Sequence, residues 1–165
     1  MAYALPEILA FFATVGFLSL IGYYDFKKRE IENTIMVASI ILGGLLTLLS
    51  GHFFEFQWQH LVAVPFTLVL ATVLFNVGAI GGADLKALVI ISIISPRIEF
   101  HDVLNPIFEC VISISLQILV MLILGQIWYI LNRKQDSESE TVPPLLPFLL
   151  VGYISIQIIP LLVIS

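Results

Sequence analysis

Cysteine is almost missing from this chain: among 165 residues there is one, Cys110, inside an apolar run. That excludes a disulfide framework and a Cys-x-x-Cys metal knuckle, and it leaves the thiol as a small core hydrophobe. Charge is scarce as well, with seven basic and twelve acidic residues, and the net −5 is scattered over short polar segments. Without a basic stripe there is nothing to hold a phosphate backbone, so nucleic acid is not expected as a partner. Histidine is limited to His52, His60 and His101, which lack ligand spacing on a helix. They read as interfacial side chains, and neither a metal nor another cofactor is expected. The first residues also lack the basic stretch of a secretory signal, so the first apolar run is expected to be a retained anchor.

What the chain has in abundance is apolar surface. Hydrophobic residues make up 59% of it and the mean hydropathy is +1.06. A soluble domain of this size could not hide so much, and the runs are long enough to cross lipid. The expectation is an all-α, polytopic membrane protein with six transmembrane helices in a single domain over residues 1–165. The spans are placed at residues 6–24, 34–50, 61–80, from 84 onward, 106–131 and 145–165. Asn33 is the expected N-cap of the second, because its side-chain oxygen can accept an unpaired amide. Residues 51–60, with Phe53, Phe54, Phe56 and Trp58, read as a short loop forming an interfacial belt.

Six of the seven basic residues, Lys27, Lys28, Arg29, Lys86, Arg133 and Lys134, fall in loops on one side; Arg97 falls opposite. By the positive-inside rule those loops are cytoplasmic and both termini lie outside. Ser92, Ser95, Ser113 and Ser115 read as helix-bonding hydroxyls. Glu109 is expected to reach the outer interface.

The fourth span raises a difficulty of length. Crossing the hydrocarbon takes about 20 residues, yet residues 85–95 supply 11 before Pro96. Either the helix continues past Pro96 with a kink, carrying Arg97 and Glu99 outward, or Asp84 starts below the lipid surface. The second case requires Gly81 and Gly82 to line a wetted, protein-walled cavity, since irregular backbone at depth is tolerated only there. Glycine permits positive φ and close approach by other backbone.

An ionisable side chain at that depth is a functional candidate. Paired aspartates can hydrolyse a peptide bond without metal or nucleophile, one taking a proton from water while the other polarises the carbonyl. Asp84, at a helix start whose dipole favours negative charge, would be the base-like member. Two plainer readings remain open: Asp84 as a helix cap, and Asp25 as an i, i+4 partner of Arg29.

Two stretches carry a resemblance. Asp25-Phe26-Lys27-Lys28-Arg29-Glu30-Ile31-Glu32-Asn33 and Gly81-Gly82-Ala83-Asp84-Leu85-Lys86 resemble the signature regions of the type IV prepilin peptidases, closest to the archaeal preflagellin peptidases. The resemblance implies a membrane aspartic endopeptidase acting at the cytoplasmic interface, which cuts the basic leader from preflagellins or type IV prepilins. It implies Asp25 and Asp84 as the catalytic pair, with Lys27, Arg29, Ile31, Asn33, Gly81, Gly82 and Lys86 in supporting roles. Ala83 stands where the family pattern Gly-x-Gly-Asp has its second glycine, so the backbone there must do without positive φ. Glu32 stands where bacterial members commonly carry proline. With no cysteine-rich insertion, N-methylation of the product is not expected. The rival class is a small membrane carrier or assembly subunit in which Asp84 is a proton or cation site.

The loop Gln135-Asp136-Ser137-Glu138-Ser139-Glu140-Thr141 is acidic and falls on the predicted cytoplasmic side. If it attracts a basic leader, the triple substitution Asp136→Asn, Glu138→Gln, Glu140→Gln raises KM for a leader-bearing substrate at low salt. The difference vanishes as salt shortens the screening length. Equal cleavage kinetics at low salt would remove this role.

Overall fold

A computed structural model describes residues 5–28, 31–98, 105–132 and 143–163, with Lys28 and residues 159–163 as backbone only. The described residues form helices and no strands: α1 (Leu5–Lys28), α2 (Asn33–Leu49), α3 (His52–Glu55), α4 (Gln57–Asn76), α5 (Gly82–Ile94), α6 (Pro106–Asn132) and α7 (Leu145–Val163). The all-α expectation holds. Three helices, α1, α4 and α6, are long and apolar enough to cross a membrane, and α2 and α7 are shorter apolar helices beside them. In lipid a helix satisfies its own backbone polar groups, which is why a chain this apolar folds in this way. Large apolar side chains stay exposed along the outer faces, among them Leu42, Leu61, Val69 and Ile130.

α5 packs against both α2 and α4, and α7 packs against both α1 and α6. Small residues set the closest approaches. A Cβ added at Gly152 on α7 would stand 3.0 Å from the Gln117 carbonyl oxygen of α6. Next to it Tyr153 is fully buried, sharing a 2.9 Å hydrogen bond with the Ser95 hydroxyl and stacking on Phe11 of α1. Cys110 is buried with its thiol donating to the Pro106 carbonyl, the packing role expected of it. Ser92 and Ser115 bond carbonyls of their own helices, and Ser113 accepts from the Gln117 amide, as apolar helices require of hydroxyls.

Several local expectations are corrected. α1 runs one turn beyond Tyr24, so Asp25 and Lys27 are helical rather than part of a following loop. Asn33 does not cap α2: it is the first helical residue, Glu32 occupies the cap position, and no side-chain cap bond forms there. Residues 51–60 are not a loop, since Gly51, at φ +83°, turns the chain directly into α3 and then α4. Phe54 and Trp58 are exposed as belt residues should be, but Phe56 is buried. α4 stops at Asn76, short of Ile80.

The kinked continuation of the fourth span is overturned as well. α5 ends at Ile94, and Ser95 leaves the helical region at φ −139°, ψ 80°, since a following proline disfavours helical backbone. Arg97 does not reach an interface. It is buried, 3.5 Å from Glu109, with its guanidinium 4.4 Å from the centre of the Phe56 ring. Glu109 is equally buried and accepts the Ile98 amide.

Because the Gly152 contact is with backbone, which cannot swing aside, Gly152→Val forces α6 and α7 apart. We expect a loss of about 1–3 kcal/mol, read as a lower unfolding midpoint in detergent. An unchanged midpoint would mean that this crossing is not tightly set.

Candidate functional site

The cavity that matters lies where α1 and the 78–84 segment meet the start of α7. It has a volume of about 1050 Å³, and Asp25 and Asp84 both line it, together with Ile31, Gly81, Gly82 and Ala83. Residues far apart in sequence thus meet in one place.

Each carboxylate is held by a backbone amide at a helix start. The first amides of a helix have no partner within it and attract an anion. Asp84 lies in the first turn of α5, where its Oδ2 accepts the Gly81 amide at 2.8 Å. Asp25, in the last turn of α1, has its Oδ2 3.3 Å from the Leu146 amide, which donates from the first turn of α7. The capping reading of Asp84 is therefore true in part: the carboxylate closes its own helix and also faces the cavity. It is 7% exposed, so little of it meets solvent elsewhere.

The glycines act differently from expectation. Gly81 is extended at φ −84°, and the positive φ falls at Gly78, +77°, where the chain turns between α4 and α5. What Gly81 supplies is room, because a Cβ there would stand 3.2 Å from Asp84 Oδ2. At Gly82 the added atom would meet Phe75 at an ordinary 3.8 Å. Ala83 fits without a special backbone, consistent with its place inside α5.

Lys86 donates to Asn33 Oδ1, linking the two motifs across α5 and α2. The amide that fails to cap α2 has this other use. Lys27 turns back along α1, with Nζ 3.4 Å from the Tyr23 hydroxyl. Arg29 lies outside the described residues, as does the acidic loop at 135–141. His52 and His60 are not interfacial: both are buried, with Nδ1 of one 3.2 Å from Nε2 of the other. His101 lies outside the described residues. No group of three His, Cys, Asp or Glu side chains suited to a metal occurs among the described residues.

Sequence reasoning missed the rest of the lining, formed by Gly125, Gln126 and Tyr129 of α6 with Pro143, Pro144 and Leu145. The signal was weak but present: Gln126 interrupts an otherwise apolar stretch of α6.

Two carboxylates, each held by the amide of a helix start, line one cavity inside a bundle of apolar helices of the kind that crosses membranes. The model of the type IV leader peptidase family matches residues 12–130, and the chain belongs to that family. It is thus a peptidase. No curated protein and no solved structure matches it. α7 lies beyond the matched stretch, yet it provides the amide that holds Asp25.

Gly81→Ala should push the Asp84 carboxylate away from its amide. Leader cleavage is expected to fall about tenfold through kcat, in line with the sensitivity of catalysis to small misplacements, with little change in the unfolding midpoint. Gly82→Ala should lose less. Equal losses at the two positions would mean that room for Asp84 is not what Gly81 provides.

Proposed function

We propose that this leader peptidase is an aspartic endopeptidase whose catalytic pair is Asp25 and Asp84. Its substrate is a preflagellin or type IV prepilin, cut between the basic leader and the mature N-terminus at the cytoplasmic face of the cell membrane. The observation that carries the reading is the presence of both carboxylates on one cavity wall, each beside the amide of a helix start.

The chemistry follows from two acids sharing one proton. The ionised carboxylate takes a proton from water, whose oxygen adds to the scissile carbonyl carbon, while the protonated carboxyl donates to the carbonyl oxygen. Collapse of the tetrahedral adduct breaks the C–N bond, and the proton taken from water passes to the leaving amine. The two ionisations belong to the pair rather than to either residue. Lys86 and Asn33 hold α5 and α2 in register, and Ile31 closes one edge of the cavity. Lys27 and Arg29 belong to the first motif, on the side that the positive-inside rule assigns to the cytoplasm. Membrane lipid surrounds the apolar outer faces. Membership of a peptidase family leaves the carrier reading of Asp84 with no support of its own.

Purified protein in detergent, mixed with a preflagellin or a prepilin, should release the leader. Asp25→Asn and Asp84→Asn should each lower kcat on the order of a thousandfold, and a chelator should have no effect. Full activity in either variant, or loss of activity with the chelator, would overturn the paired-aspartate mechanism.

A further inference from the structure

Part of the wall of the cavity that holds the two aspartates is built from α6. Leu122, Gln126 and Tyr129 are spaced four and three residues apart, which places them on one face of the helix, and all three line the cavity. Glycine at 125 keeps this wall close to the start of α7, since a Cβ there would meet Leu145 Cδ2 at 2.6 Å. Around them α6 is apolar: Ile123, Ile127, Ile130 and Leu131 are exposed on its surface. Gln126 is exposed, and Tyr129 is 37% exposed. Neither has a hydrogen-bond partner among the described residues, although an amide in an apolar helix normally bonds a neighbouring helix.

A peptide bond about to be hydrolysed must enter the cavity that the aspartates share with these α6 residues. It brings carbonyl and amide groups that lose water on entry, and each needs a partner. Glutamine offers a donor and an acceptor on one planar group, which matches the two sides of a peptide unit, and the tyrosine hydroxyl can serve either role. We propose that Gln126 and Tyr129 bind the main chain of the substrate beside the scissile bond and so position it against Asp25 and Asp84. This rests on the paired-aspartate reading and adds to it the residues that recognise backbone rather than side chains. Recognition of that kind does not depend on the substrate residues flanking the cut.

The test uses the full-length protein in detergent and two prepilin-type substrates differing in the residues on either side of the cleavage site. Gln126→Leu should raise KM about five- to tenfold for both substrates alike, and Tyr129→Phe about threefold, the range for one or two lost hydrogen bonds. The fall in kcat/KM should come mainly from KM. The same increases should appear in Kd when the substitutions are placed in an Asp25→Asn, Asp84→Asn background, where no cleavage intervenes. Unchanged KM and Kd with an active parent protein would overturn the role of this wall while leaving the aspartate pair intact. An effect confined to one substrate would also overturn it, because that would be side-chain selection. Failure of the parent protein to cleave either substrate would instead count against the proposed function.

Discussion

α5 is shorter than a membrane-spanning helix needs to be. Its 13 residues rise roughly 20 Å, against about 30 Å of hydrocarbon. Like any helix it leaves backbone groups unpaired at both ends, and the surrounding protein satisfies them. At one end the solution is a cavity lined by the 78–84 segment and by Asp25 and Asp84. At the other it is a sealed polar cluster: Glu109 accepts the Ile98 amide, and Gln157 donates to the Arg97 carbonyl at 3.0 Å. The Arg97–Glu109 pair thus closes the far end of the helix, a more direct role than stability, for which a buried ion pair is weak support.

The same constraint explains why the acids lie where they do. The start of a helix exposes unpaired amides, and an anion is their natural complement. α5 takes the carboxylate of its own first turn, and the start of α7 takes Asp25 from α1. Two helix starts thus orient two carboxylates toward one space. Two neighbouring contacts join the helices around that space: Gly125 lets α6 approach Leu145, and Lys86 ties α5 to the first residue of α2.

Much of this was legible in the residues. Apolar run length and hydropathy gave the helices to within a few positions, because burial in lipid leaves the backbone no alternative. The mismatch of length at Pro96 offered a cavity at Gly81 and Gly82 as one of two alternatives, the other being the kinked helix. Helix ends were less legible. The extra turn carrying Asp25 and the helical start at Gln57 follow from packing rather than from local signals. The histidines misled for a related reason: His52 and His60 meet across the bend at Phe56, and each gives the other a buried partner, which no spacing on a single helix reveals.

By itself the sequence determined that the protein is helical, that it belongs in a membrane, and which two short motifs hold its acids, since all three depend on composition and on neighbours along the chain. Only the tertiary structure decided that Asp25 answers to α7, that Asn33 serves Lys86 rather than its own helix, and that α6 lines the same cavity as the acids. These depend on which helix ends meet, and that is set by the packing of small residues between helices.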